Sequence, residues 1–276
     1  MIQLSPKIYA KLETYNPSGS VKDRMVSFIV SQAVKNEEIT PNTRFVEATS
    51  GNTGIALSML GAAMGHEVHI IMPCNMSPER VQMMEVYGAV VHKVGPNDFK
   101  AAIEMRNSMM AESSDWWSPM QFSNPHNVQA HYLNTAKEIH SEMFHMEHSW
   151  EAFITGAGTG GTMMGVSQYI RDHELNTKTV LTVPAESAAD HGIQGINDGA
   201  DFLLDRSKVD FVVEIETERA IERARRLSRE SGLLVGISSG ANILAAEKWV
   251  EEHNPEGIVV TMLCDRGERY LNVLGT

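Results

Sequence analysis

The chain has 276 residues, 42% hydrophobic and 21% charged, a balance that excludes a disordered or fibrous protein and leaves room for one large domain or two ordinary ones. Lys and Arg number 23 against 35 Asp and Glu, and the formal charge of −12 argues against a nucleic-acid backbone or an anionic membrane as partner. The two cysteines, Cys74 and Cys264, lie far apart and no His/Cys grouping has metal-ligand spacing, so the expectation is no metal and a reducing, cytoplasmic setting.

From the start, MIQLSPKIYA alternates polar and apolar residues and reads as a strand, not as a signal peptide. No apolar run approaches the ~18 residues of a membrane span. Strands are expected over 8–12, 45–48, 68–72, 90–94, 152–155, 180–183, 211–215 and 258–263. Helices are expected over 21–35, 53–64, 78–87, 99–110, 128–143, 162–172, 218–230 and 241–252. Strand and helix alternate almost to the end, which is the pattern of parallel sheets covered by helices on both faces. Residues 114–127 hold Trp116, Trp117, Pro119 and Pro125 without a clear period and read as the join between two α/β lobes with a cleft between them. Ligands of such folds bind beyond the carboxyl ends of strands, so the polar turns there carry the candidate chemistry.

Five turns qualify. NPSGSVKDR (16–24) places Lys22 just inside a helix N-terminus, where positive dipole density suits an amine used as a nucleophile; the plainer reading is a surface lysine paired to Asp23. EATSGNTG (47–54) sets three hydroxyls, one amide and open backbone N–H groups at a helix start, more than an N-cap needs and enough to receive a carboxylate. ITGAGTGGT (154–162) has four glycines in six residues between a strand and a helix, a nest for phosphate or another anion. Its ligand stays open: Glu186, at the end of the next strand, sits where a dinucleotide-binding domain puts its ribose-binding carboxylate, so a nicotinamide enzyme is a fair rival. GISSGA (236–241) offers Ser238 or Ser239 as an N-cap, and CDRGERYL (264–271) is a charged turn in which Arg266 either attracts an anion or pairs with Asp265.

Together NPSGSVKDR, EATSGNTGIAL, MSPERVQMMEVYGA, QFSNP, GAGTGGT, IQGI, GISSGAN and DRGERYL occur in the order seen in the pyridoxal-phosphate-dependent cysteine synthases of the tryptophan-synthase-β fold (fold type II), and the chain resembles that family over residues 7–271. CDRGERYL and the short loop after VPAE look most like the B isoform, O-acetylserine sulfhydrylase B. The resemblance implies two three-layer α/β lobes with mostly parallel central sheets: a smaller lobe over 14–126, mobile on substrate binding, and a larger one over 1–13 plus 127–276, with the cofactor in the cleft. It implies pyridoxal 5′-phosphate joined to Lys22, its phosphate on Gly158, Thr159, Gly160 and Thr162, its 3′-oxygen on Asn52 and its pyridine nitrogen facing Ser238. Thr49, Ser50, Gly51, Thr53 and Gln121 would receive the substrate carboxylate.

The implied reaction is a β-replacement: O-acetylserine or a close analogue reacts with sulfide or thiosulfate, through an aminoacrylate, to L-cysteine or S-sulfocysteine, with Lys22 as the base. A cytoplasmic homodimer is implied as well. Alternatives are a cystathionine β-synthase-like or serine dehydratase-like lyase, or a catalytically silent protein that keeps the fold. Nothing here corresponds to the IGNTPL-like segment with which family members begin, and NDGADFLL after IQGI departs from the family, so Asn197 and Asp198 bear on the nucleophile accepted.

Overall fold

A computed structural model of the chain describes residues 1–187, 190–196 and 200–275. The chain divides into two compact units, Asn16–His126 and Met1–Tyr15 with Asn127–Thr276.

In the unit of Met1–Tyr15 with Asn127–Thr276, six strands form one sheet: β1 (Ile2–Ser5), β2 (Ile8–Leu12), β7 (Trp150–Gly156), β8 (Lys178–Pro184), β9 (Phe211–Ile215) and β10 (Ile258–Leu263). Their order is β1-β2-β10-β7-β8-β9, all neighbours parallel except β1 with β2. Central β10, IVVTML, is buried at every position, as an interior parallel strand covered on both faces must be. Each of its large apolar side chains contributes about 1.5–3 kcal/mol by leaving water. β9, on the edge, buries only Ile215 fully.

The helices of this unit are α7 (Gly161–Asp172), α8 (Thr217–Ser231), α9 (Ile237–His253), the short α10 (Leu271–Leu274) and a continuous run ahead of β7. That run opens as α5 (His126–Ala130), widens to π-helical geometry over His131–Ala136 and closes as α6 (Lys137–His145). α8 buries Ala220, Ile221, Ala224 and Leu227 at helical spacing and stops at Gly232, whose left-handed φ of 68° closes its carboxyl end. α9 packs along β7–β10, with Ala241, Ala245 and Trp249 in the core beside Ile154, Val180 and Val259.

The unit Asn16–His126 holds β3 (Arg44–Ala48), β4 (Val68–Pro73), β5 (Val90–Val94) and β6 (Trp116–Trp117) as a wholly parallel sheet in the order β5-β4-β3-β6. Around it lie α1 (Lys22–Lys35), α2 (Asn52–Met64), α3 (Pro78–Val86) and α4 (Phe99–Glu112). Val46, Ala48, Ile71 and Ala102 form one buried cluster, with Met105, Met109 and Trp116 closing over it.

The stretch 114–127, read as a join without a clear period, contains β6, which is only two residues long. α9 begins four residues earlier than the pattern suggests, because Ile237 to Gly240 already belong to its first turn. No helix among the described residues is long and apolar enough to cross a membrane.

Candidate active site

In the unit Asn16–His126, β3 delivers the turn 49–51 to the start of α2. The N-cap is Gly51 and no side chain caps the helix, so the hydroxyls of this turn are not spent on capping. Thr49 and Thr53 are buried, Ser50 is half-buried, and Asn52 is the first residue of α2. Thr53 Oγ1 donates to Gln121 Oε1 at 2.7 Å, while Gln121 Nε2 donates to the Ala48 carbonyl at 3.1 Å. Gln121, 68 residues away in sequence, is thereby brought onto the turn. Arg80 of α3, buried, donates from Nη1 to the Ser50 carbonyl at 3.1 Å and fixes the turn from behind.

Lys22 is the first residue of α1, which packs along α2. The preceding loop is held by Asp23, whose carboxylate accepts the Ser18 N–H at 2.6 Å and the Ser18 hydroxyl, and by Asn16 Nδ2, which donates to the Ser20 carbonyl at 2.9 Å. Asp23 therefore builds the loop, and the plain pairing of Lys22 with Asp23 is not what the structure shows.

Behind the turn sits Glu47, fully buried. Its Oε1 accepts from Arg106 Nη1 at 3.1 Å and from the Ala48 N–H at 2.8 Å; its Oε2 accepts the Gln121 N–H at 3.1 Å. Burial pushes the Glu47 carboxyl up, and the Arg106 charge and these hydrogen bonds only partly oppose it.

In the unit of Met1–Tyr15 with Asn127–Thr276, β7 runs into the glycine loop and α7 follows. Gly160, the N-cap, adopts φ 89° and ψ −12°, a left-handed conformation that glycine takes without strain. Thr159 Oγ1 accepts from Asn127 Nδ2 at 3.0 Å and lies 3.3 Å from the Gly161 N–H. Thr162 Oγ1 lies 3.3 Å from His131 Nε2, and the other ring nitrogen of His131 is 2.9 Å from Thr135 Oγ1. The strand end is tied down by Asn242, whose Oδ1 accepts the Gly156 N–H at 2.8 Å while Nδ2 donates to the Met262 carbonyl at 3.1 Å.

Ser238, in the first turn of α9, lies beside Gly195; a Cβ added there would be 3.8 Å from Ser238 Oγ. A Cβ on Gly158 would come within 2.7 Å of the Gly195 carbonyl. Gly158, Gly195 and Ser238 thus form one close-walled group next to the start of α7. Gly236, not a serine, is the N-cap of α9; Ser239 Oγ instead accepts the Cys264 N–H at 2.9 Å.

These features fit a phosphorylated pyridine. A helix start with glycine-flanked N–H groups and two threonine hydroxyls suits a phosphate dianion, and a lone serine hydroxyl can meet a neutral ring nitrogen. Glu186, which kept the dinucleotide reading open, spends Oε1 on the first N–H of α8, from Thr217 at 2.7 Å, and that bond, offset in part by burial, holds its carboxyl below the usual range. Arg266 donates to the Thr14 carbonyl at 2.8 Å. Asn197 and Asp198 lie outside the described residues. The sequence reading passed over Arg106, Asn127, His131 and Asn242; the available signal was a polar residue inside an otherwise apolar helical stretch, as with Asn242 between Ala241 and Ile243.

Comparison with known proteins agrees. Residues 2–265 match the family described as pyridoxal-phosphate dependent enzyme. The chain is 37% identical to cysteine synthase B of Campylobacter jejuni, covering 96% of this chain and 90% of that protein. Among solved structures it superposes on a hydrogen sulfide-producing enzyme (Fn1055) of Fusobacterium nucleatum with a TM-score of 0.90 at 37% identity, over 96% of this chain and 82% of that one. An O-acetylserine-dependent cystathionine β-synthase of Helicobacter pylori gives 0.86 at 33% identity, over 96% and 88%. The chain belongs to the fold type II family of pyridoxal-phosphate-dependent enzymes, and pyridoxal phosphate is its cofactor.

Proposed function

We propose that the protein makes L-cysteine, or S-sulfocysteine, from O-acetylserine or a close analogue and sulfide or thiosulfate. The observation that carries this is the uncapped start of α2, whose open N–H groups stand beside the bonded Thr53 and Gln121 side chains: a compact polar receptor matched to one carboxylate. The similarity to a cysteine synthase B supports the same class of reaction.

When bound, the cofactor supplies an electron sink for the substrate Cα. Gly158, Thr159, Gly160 and Thr162 would hold its phosphate, Ser238 its ring nitrogen, Asn52 its 3′-oxygen, and Lys22 its carbonyl carbon. The Ser238 hydroxyl is neutral and stabilises a ring cation less than a carboxylate would, which favours expelling a leaving group over storing charge. Thr49, Ser50, Gly51, Thr53 and Gln121 would hold the α-carboxylate, and the Lys22 amine, once the substrate's amino group has displaced it, would take the proton from Cα. The bond from Cβ to the acetyl oxygen breaks with its electron pair leaving on acetate. The nucleophile's sulfur then forms the new bond at Cβ, and Lys22 returns the proton to Cα. We place this activity in a cytoplasmic homodimer.

A second reading follows from the Fusobacterium and Helicobacter neighbours, named for sulfide production and for cystathionine synthesis. The same carboxylate receptor serves any amino acid with a β-leaving group. Purified protein given O-acetylserine with sulfide, thiosulfate or homocysteine in turn separates the cases. Sulfide or thiosulfate is expected to give the largest kcat/KM, and formation of cysteine and S-sulfocysteine no higher than in Lys22→Ala sinks the assignment.

A further inference from the structure

Inside the unit Asn16–His126, a buried charge pair stands directly behind the carboxylate receptor. Glu47 is 0% and Arg106 4% exposed, with 3.1 Å between Nη1 and Oε1. The remaining guanidinium nitrogens, Nε and Nη2, reach Asn107 Oδ1 at 3.2 and 2.9 Å. From the carboxylate the bonds continue to the Gln121 N–H and, through the Gln121 side chain, to Thr53.

Two physical requirements meet at this pair. Arg106 Nη1, the Ala48 N–H and the Gln121 N–H are all donors, a set matched to the acceptor-only carboxylate; protonated, Glu47 would carry an O–H that none of the three can accept. Yet an uncompensated buried carboxylate this close to the turn repels an incoming carboxylate, weakly screened in the interior. Arg106 meets both demands at once.

We propose that Arg106 is a positioning residue for substrate: by neutralising Glu47 and keeping it ionised, it aligns Gln121 on Thr53 and makes the 49–53 turn receptive to an amino acid's α-carboxylate. This rests on the reading of that turn given under Proposed function.

L-Alanine tests binding without β-elimination, since it carries the α-amine and α-carboxylate but no β-leaving group. Calorimetric titration of the holoenzyme with L-alanine is expected to show about tenfold weaker binding in Arg106→Met, about 1.4 kcal/mol. KM for O-acetylserine should rise by a like factor while kcat changes less than about threefold. Removing the second charge as well, in Glu47→Gln with Arg106→Met, leaves an amide oxygen that can still accept the Gln121 N–H and should restore L-alanine affinity to within about threefold of the starting protein. A merely structural ion pair also recovers its stability when both partners are removed, so the distinguishing readout is the rise in KM with kcat little changed, which a general loss of structure does not give. If Arg106→Met does not fold, the double variant and Arg106→Lys carry the comparison, and both must bind L-alanine within that threefold. A folded Arg106→Met that binds as the unaltered protein does, or a double variant that does not recover, overturns the inference alone. Unaltered protein that neither binds L-alanine nor makes cysteine overturns the function reading and this inference with it.

Discussion

Replacing Gly160 by alanine separates two costs that the glycine loop avoids. Gly160 sits at φ 89°, and a Cβ there would stand 2.5 Å from the Leu204 backbone nitrogen and 2.8 Å from its Cα. Forcing an L-residue into left-handed backbone costs about 1–2 kcal/mol. Overpacking against a backbone that cannot rotate away adds about 1–3 kcal/mol. Gly232, which closes α8 at φ 68°, has nothing within 4 Å of the same added atom, so Gly232→Ala incurs the first cost alone. Taking mid-range values at about 2–4 °C per kcal/mol, Gly232→Ala should lower Tm by about 3–6 °C and Gly160→Ala by about 7–14 °C. Because the α7 N–H groups must shift to relieve the clash, Gly160→Ala should also lose pyridoxal phosphate, by about tenfold in Kd for each 1.4 kcal/mol of misalignment. Thermal unfolding with and without cofactor, beside equilibrium dialysis of pyridoxal phosphate, measures both. Equal Tm losses in the two variants, with cofactor affinity intact in both, would refute the reasoning.

Thr162→Val keeps the shape of the loop but removes the hydroxyl facing His131, and should weaken cofactor binding by about 1–1.5 kcal/mol, measured by the same dialysis; unchanged affinity counts against the phosphate assignment. Asn242→Ala strips the Gly156 N–H and the Met262 carbonyl of their partner inside the core and should cost about 2–4 kcal/mol in urea unfolding, whereas a loss under 1 kcal/mol would mean that β7 ends are held by other means. Burial raises the Glu142 carboxyl, but its bond from Lys11, at 2.8 Å, and that from the amino terminus more than offset this and hold it below 4.5. A depressed carboxyl contributes stability above about pH 4.5 that is lost as pH falls through its lower native value, so the Tm advantage over Glu142→Gln should vanish in acid; an advantage constant with pH contradicts the pairing.

The sheets were legible because their strands are short apolar runs with β-branched residues: 8–12, 90–94, 211–215 and 258–263 coincide with β2, β5, β9 and β10. The start of α9 was not, since Ile237 to Gly240 combine glycine and serine, residues whose local preference is for turns until tertiary packing overrides it. Polar turns announced themselves by composition. What supports them did not: Arg106 lies 59 residues from Glu47, and Asn127 lies 32 from Thr159, distances at which no local pattern couples two side chains. His131 was hidden for a further reason, being presented by helical geometry that departs from the 3.6-residue period on which the reading depended.

That departure makes the run 126–145 a splice of phase. One extra residue in a helical turn rotates everything beyond it by about 100° relative to everything before. Asn127 and His131 can therefore address the glycine loop while Ile139 and Met143, farther along, bury themselves on a bearing that an unbroken α-helix would not share with them. Chain length, more than residue identity, is the protected quantity over His131–Ala136: half-exposed Leu133 tolerates exchange, whereas a change of one residue in length alters the phase between Asn127 and His131, which meet the glycine loop, and the buried face farther along.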